Sequence, residues 1–136
     1  MTPDEARDFI RTHHNAVVAT LRRDGRPQMS PNLVGIDDDG SMIMSTRETA
    51  VKVANIRRTG WASVCVFEDA FIGRWVQAEG SATVESLPAA MEALVRYYRL
   101  LVGEHPDWDD YRAAMQREKR VLLRIQIERA GPNVGG

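Results

Sequence analysis

The feature that most constrains the fold of this chain is a strict alternation of apolar and polar residues over positions 75–85. The small or apolar residues are Val76, Ala78, Gly80, Ala82 and Val84, and they alternate with Gln77, Glu79, Ser81, Thr83 and Glu85. Because successive side chains of a strand point to opposite faces, this pattern predicts a strand with one buried face and one face in solvent. Half-buried strands are typical of antiparallel sheets.

Short β-branched runs joined by turn residues predict further antiparallel strands. Asp24 and Gly25 form a hairpin signal between the first two runs, and an acidic stretch ending at Gly40 precedes the third. The acidic residues Asp37 to Asp39 are expected to form a solvated hairpin tip. The predicted strands are 16–21, 28–36, 41–46, 61–67, 75–85 and 121–127. Six strands dominated by hairpins predict a mainly β protein, a small antiparallel barrel with added helices, and exclude a dinucleotide-binding fold.

Helices are predicted from their terminal residues. Thr49 is a candidate N-cap for a helix that extends to about Arg58, and Gly60 is placed to end it. Other helices are expected to begin near residues 2, 88 and 107. The chain has 136 residues, which is enough for one domain over 1–136, and residues 129–136 are expected to form a flexible C-terminal tail.

Charge and composition exclude several functions. Eighteen basic and nineteen acidic residues give a net charge of −1, so no global field attracts nucleic acid or an anionic membrane. No apolar run approaches the roughly 18 residues that a membrane span needs, and the first residues do not resemble a signal peptide. The expected location is therefore the cytoplasm, with no nucleic-acid or membrane partner.

The potential metal ligands and nucleophiles are scattered. His13, His14, Cys65 and His105 show no spacing of a known metal site, so none is expected. Ser30, Ser45 and Ser63 lie in strand patterns without a nucleophile elbow, which disfavours a hydrolase. No side chain is assigned a catalytic role.

The most informative segment for chemistry is 45–58. Ser45 and Thr46 supply hydroxyls at a strand end, and the following helix start supplies free N–H groups and a positive dipole. Arg47 and Lys52 add mobile cations, so the segment predicts a phosphate cradle. The alternative, an ordinary exposed helix with basic residues on its solvent face, stays open on spacing alone.

The order of elements and several local strings resemble the split β-barrel flavin-binding proteins related to pyridoxamine 5′-phosphate oxidase. The matching strings lie at 16–21, 24–31, 46–58 and 76–82, and they span nearly the whole chain. Residues 104–112 and 121–123 are similar to strings of a short actinobacterial branch that uses the deazaflavin coenzyme F420. The resemblance implies a six-stranded split barrel of the FMN-binding type.

The resemblance also implies a homodimer that holds the cofactor ring in a groove between two barrels. Lys52 matches the family's phosphate lysine, and Ser45, Thr46 and Arg47 match neighbouring phosphate-loop positions. Further residues that the resemblance places at the cofactor are Asn55 and Arg58 after the lysine, Gln28, Ser30 and Asn32 on the second strand, and Trp75 and Gln77 on a strand that faces the partner.

The expected function is that of an F420-dependent reductase, which transfers hydride to an unsaturated C=C or C=N bond of a small organic substrate. The alternatives are an FMN-dependent oxidoreductase of the same fold and a non-catalytic carrier of a flavin or tetrapyrrole. Vitamin B6 oxidation is not expected, because the basic residues that grip pyridoxal phosphate are not recognisable. Basic residues expected to meet the oligoglutamate tail of F420 are Arg57 and Arg58, or Arg22, Arg23 and Arg26.

Overall fold

The computed structural model describes residues 1–132, which form eight strands and four helices. In chain order the elements are α1 (Pro3–Thr12), β1 (Asn15–Leu21), β2 (Pro27–Leu33), β3 (Gly35–Ile36), β4 (Met42–Arg47), α2 (Val51–Thr59), β5 (Trp61–Phe67), β6 (Trp75–Glu85), α3 (Met91–Leu101), α4 (Trp108–Arg117), β7 (Arg120–Ile125) and β8 (Arg129–Gly131). Within these residues no helix is long and apolar enough to cross a membrane.

All strand pairs are antiparallel, in the order β2-β1-β5-β6-β7-β4-β3, with β8 added beside β6. The long strand β6 joins two halves of the sheet, because Trp75 to Ser81 pair with β5 and Ala82 to Glu85 pair with β7. The outer strands β2 and β3 do not pair with each other, so the barrel is split. This confirms the predicted antiparallel split-barrel class.

The predicted count of six strands is wrong, and two local causes explain the difference. The run 28–36 divides at the buried Val34, because β2 pairs with β1 whereas β3 pairs with β4. Arg129 to Gly131 form the short strand β8 on β6 instead of part of a flexible tail. Residues 133–136 of that expected tail lie outside the described residues.

At Gly80, the segment of residues 126–128 passes close to the backbone of β6. A Cβ atom at Gly80 would lie 1.9 Å from the carbonyl oxygen of Gln126. The crossing segment is tied down on both sides, since the Gln126 N–H donates to the Ser81 carbonyl at 2.8 Å and the Glu128 N–H donates to the Glu79 carbonyl at 2.9 Å. Only glycine fits this approach without moving the backbone.

The core has two parts. The inner sheet face packs against α2 and α1 through Val18, Val64, Ala78, Val53 and Ile10. Helices α3 and α4 cover a second cluster on the opposite side of β4 and β7, formed by Ile43, Leu94, Tyr97, Tyr111 and Leu122.

Most helix ends follow the predicted residues, but the helix expected to begin near residue 88 begins at Met91, and the start of α2 also differs. Thr2 and Glu5 form the expected capping box, and Gly60 ends α2 in the left-handed region with φ of 66°. The N-cap of α2 is Ala50 rather than Thr49, and no side chain caps it. No side chain therefore accepts from the N–H groups at the start of α2, where the Val53 N–H donates to the Ala50 carbonyl at 3.0 Å, and this matters for the site described below.

The expected solvated tip at Asp37 to Asp39 is wrong for its first residue. Asp37 is buried, and two arginines from other elements bind its carboxylate. A local turn pattern does not reveal that a helix and a strand distant in sequence pack over it.

Candidate functional site

Lys52 connects the start of α2 to strand β2. Its side chain is buried, with 7% of the residue exposed. The Nζ atom donates to Asn32 Oδ1 at 2.7 Å and to Ser30 Oγ at 3.3 Å. Ser30 and Asn32 alternate along β2 and share one face, so the helix and the strand together place three predicted site residues in contact.

The amide of Asn32 has a defined orientation. Its Nδ2 donates to the carbonyl oxygens of Leu33 at 3.1 Å and Ser45 at 3.3 Å. Because Nδ2 is committed to carbonyl oxygens, Oδ1 is the atom that accepts from Lys52. The Ser45 backbone thereby joins β4 to the same group, while its neighbour Thr46 is buried in β4.

Tyr97 of α3 completes the support of this group. Its hydroxyl donates to the Leu33 carbonyl at 2.8 Å, the same oxygen that Asn32 contacts. Burial raises the pKa of Tyr97 to about 12, so the hydroxyl stays a donor. The sequence did not point to Tyr97, because it lies in a helix whose apolar periodicity explained its neighbours.

The positive charge of Lys52 is not paired with a carboxylate in the described part of the chain. Among residues 1–132 no Asp or Glu lies within ion-pair distance of its Nζ. Burial and the nearby Arg120 cation lower the pKa of Lys52. The first turn of α2 also contains no acidic residue. A buried cation beside an uncapped helix N-terminus favours an anion from outside the chain.

Gln28 supplies an unsatisfied acceptor on the same face of β2. Its Oε1 is buried without a hydrogen-bond partner in the described part of the chain, while its Nε2 donates to the Met29 carbonyl at 3.3 Å. A buried acceptor without a donor costs about 1 to 3 kcal/mol. The strand therefore presents hydroxyl, amide and carbonyl oxygen groups that fit a ligand with both an anionic group and N–H donors.

Three predicted site residues make other contacts. Arg47 is exposed and lies 3.7 Å from Glu118. Asn55 is buried, donates to Thr20 Oγ1 at 3.0 Å and accepts from Arg58. These contacts attach α2 to β1, so the structure gives Asn55 and Arg58 a role in fixing the helix that carries Lys52.

The arginines expected at a cofactor tail also differ in their surroundings. Arg57 forms an ion pair with Glu48 and contacts Ser86, so its charge is balanced within the chain. Arg58 donates to the Leu21 carbonyl. Residues Arg22, Arg23 and Arg26 lie in the exposed β1–β2 turn.

Trp75 and Gln77 lie on the opposite face of the sheet from Ser30 and Asn32. The strand register places Trp75 in one row with Phe67, Asn15 and Leu33. Gln77 donates to Ser63 Oγ at 2.9 Å on this outer face. Within one chain these two residues therefore face away from Lys52.

Comparison with known proteins defines the class. Residues 2–132 match the family described as pyridoxamine 5′-phosphate oxidase, and the chain belongs to that family. An F420H2-dependent biliverdin reductase from Mycobacterium tuberculosis is 30% identical over 130 residues, which cover 93% of this chain and 84% of that protein.

Solved structures show the same fold. The conserved hypothetical protein Rv2991 from Mycobacterium tuberculosis superposes with a TM-score of 0.76 at 26% identity, covering 96% of this chain and 82% of that one. An F420 reductase superposes with a TM-score of 0.69 at 16% identity over 91% of this chain and 94% of that chain, which is a likeness of fold alone. The family match and the 30% identical reductase support an oxidoreductase with a flavin-type cofactor.

Proposed function

We propose that this protein is a coenzyme F420-dependent oxidoreductase that transfers hydride to an unsaturated bond of a small organic substrate. The observation that carries the proposal is Lys52, a buried cation that has no counter-charge among residues 1–132 and lies at an uncapped helix N-terminus. A phosphate group supplies the missing negative charge. The relative with 30% identity, which is F420H2-dependent, favours the deazaflavin over FMN.

The residues of this chain bind and orient the cofactor. Lys52 and the first N–H groups of α2 hold the phosphate, and Ser30 and Asn32 keep the lysine in place. Gln28 Oε1 accepts from an N–H donor of the ring system. When bound, the deazaflavin supplies the hydride chemistry, so no side-chain nucleophile is needed.

A homodimer is part of the proposal. The outer face of β1, β2, β5 and β6 exposes apolar side chains, including 63% of Met29 and 46% of Leu33. Trp75 and Gln77 share this face, so they reach a ligand at Lys52 only when it is bound to a second copy. Sedimentation at micromolar concentration should give about twice the chain mass of 15.3 kDa. A monomer that binds cofactor with full affinity would contradict the shared groove.

Titration with F420 and with FMN tests the cofactor site. Lys52→Ala should weaken cofactor binding at least about tenfold, because a charge-assisted contact contributes about 1.5 to 3 kcal/mol. Arg112→Ala is the matched control, since it removes a cation that is ion-paired with Glu92 on a helix of the other core cluster. Unchanged affinity in Lys52→Ala would show that the lysine does not bind phosphate.

The same titration at low and raised salt separates the cofactors. The oligoglutamate tail of F420 adds negative charge, so its extra affinity should decrease as salt screens the exposed arginines. Tighter binding of FMN at every salt concentration would favour the FMN-dependent alternative. Cofactor binding without turnover across a panel of unsaturated acceptors would favour a carrier.

A further inference from the structure

A cavity that is separate from the Lys52 group lies between α1 and the start of β6. Its volume is about 600 Å³, and its walls include Phe9 and His13 of α1 and Trp75 and Val76 of β6. Small-molecule sites typically have volumes of about 300 to 1,000 Å³. We call this space the α1–β6 cavity. None of the residues that hold Lys52 lines it.

One wall of the α1–β6 cavity is an ordered aromatic stack. The rings of Phe9 and His13 are 4.2 Å apart and inclined by 15°. His13 Nδ1 lies 3.0 Å from the Phe9 carbonyl oxygen. The Thr12 hydroxyl oxygen also lies 3.0 Å from this Nδ1 atom, and the two contacts together fix the ring plane. The wall therefore offers a rigid, flat surface.

The second wall supplies another flat surface. Trp75 is 39% exposed, and its neighbour Arg74 places its guanidinium 5.6 Å from the centre of the Phe9 ring. The adjoining hairpin tip carries Phe71 and Ile72, which are 88% and 94% exposed. Aromatic and apolar surface thus continues from the cavity to its rim, which favours a planar apolar ligand.

The charged side chains at the rim are balanced within the chain. Asp8 pairs with Arg11 at 2.7 Å, and Arg74 pairs with Glu68 at 3.1 Å. The Glu5 carboxylate belongs to the capping box of α1. A charged ligand gains little from such pairs, in contrast to the situation at Lys52, so the α1–β6 cavity suits an uncharged molecule.

We propose that the α1–β6 cavity binds a neutral, planar, conjugated molecule beside the Phe9–His13 stack, in contact with the Trp75 part of its lining, and that this molecule is the hydride acceptor. The assignment as acceptor rests on the proposed function, because Trp75 lies on the face that the proposed dimer turns toward the cofactor. The acceptor gains a hydride from the reduced deazaflavin at one atom of its unsaturated bond and a proton from solvent at the other. Loss of the hydride leaves the deazaflavin in its oxidised form.

Acridone, a neutral fluorescent tricycle, is a suitable probe in the absence of cofactor. Its binding is measured by fluorescence polarisation, which does not depend on the protein's tryptophans. Trp75→Ala should raise the dissociation constant of acridone at least tenfold, and His13→Ala about threefold. His14→Ala is the matched control, because His14 also contacts a carbonyl oxygen, that of Val34 at 2.8 Å, and does not line the cavity.

Equal acridone affinity in the wild type, Trp75→Ala and His13→Ala would overturn the proposed binding site, whatever the cofactor titration shows. In the enzyme loaded with F420, His13→Ala should raise the KM of a turned-over acceptor several-fold and leave F420 affinity unchanged. An unchanged KM would overturn the assignment as acceptor site. A further result is acridone binding that depends on Trp75 and His13 together with unchanged cofactor affinity in Lys52→Ala. That result would support the α1–β6 cavity as a binding site and contradict only the proposed cofactor-dependent function.

Discussion

Two buried charged groups in this small barrel differ in how their charge is balanced. At Asp37, Arg96 donates to both carboxylate oxygens at 2.8 and 3.0 Å, and Arg124 donates at 2.9 Å. Arg124 also forms ion pairs with Glu85 and Asp39, so each arginine of the group lies beside carboxylates. At Lys52 the partners are a neutral hydroxyl and a neutral amide.

The difference separates a structural group from a binding group. The Asp37 group connects the β3–β4 turn, α3, β6 and β7, and each charged member has an opposite charge beside it. Such a group orders the fold and needs no ligand. The Lys52 group is supported by hydrogen bonds but keeps its charge, which the proposed anionic cofactor would balance. Variants that change one group and not the other test this comparison.

The largest effect is expected from Asp37→Ala. The change leaves Arg96 without its carboxylate partner, whereas Arg124 keeps Glu85 and Asp39, so the cost should lie at or below the lower end of the about 3 to 5 kcal/mol for breaking a buried ion pair. Chemical denaturation measures the loss in the free energy of unfolding. Asp38→Ala is the control, because the adjacent carboxylate is exposed and its removal should cost under about 0.5 kcal/mol. Equal stability of the two variants would show that the buried pair does not hold the fold together.

The pH dependence of stability should differ between the two groups. The hydrogen bonds from Arg96 hold the pKa of Asp37 well below its usual range. Its contribution is therefore complete above the unfolded pKa of about 3.9 and is lost as the pH falls below that value. Between pH 5 and pH 2 the urea midpoint of the wild type should fall more steeply than that of Asp37→Asn. Parallel curves would assign the acid sensitivity to other carboxylates.

Lys52→Met should have the opposite sign to Asp37→Ala. Removal of an unbalanced buried charge should leave the free energy of unfolding of the ligand-free protein unchanged or raise it by up to about 1 kcal/mol. Because burial lowers the pKa of Lys52, the folded chain binds this proton less tightly than the unfolded chain. The wild type should therefore gain stability as the pH rises toward about 10.4, and the variant should lack that gain. A destabilised variant would show that Lys52 is structural.

The smallest effect is expected from Arg47→Ala. Arg47 is exposed and its contact with Glu118 is long at 3.7 Å, so its removal should change stability by less than about 0.5 kcal/mol. Its charge attracts an anionic cofactor only over a distance, so affinity should fall about two- to threefold at low salt and match the wild type at high salt. A loss of affinity that persists at high salt would place Arg47 in direct contact with the cofactor.

Much of the fold was predictable because its determinants are local. The alternation over residues 75–85 set the faces of β6, the Asp24–Gly25 pair set the first hairpin, and Gly60 ended α2. The predicted strand over 28–36 implies that Gln28, Ser30 and Asn32, at alternate positions, share one face, as β2 shows. Their assignment to a cofactor, with that of Lys52, came from family resemblance, and it stays a prediction.

Other features were decided only when distant segments packed together. Gly80 looks like one more small residue of a strand, but the approach of Gln126 gives it its role. The sequence predicts Asp37 to be an exposed turn residue, but in the structure Arg96 and Arg124 bind its carboxylate. Tyr97 joins the Lys52 group because α3 lies across the end of β2. The sequence by itself determined the local periodicities and turns, since these depend on neighbours along the chain. The tertiary structure decided which charges are balanced, because the opposing charge comes from elements many residues away.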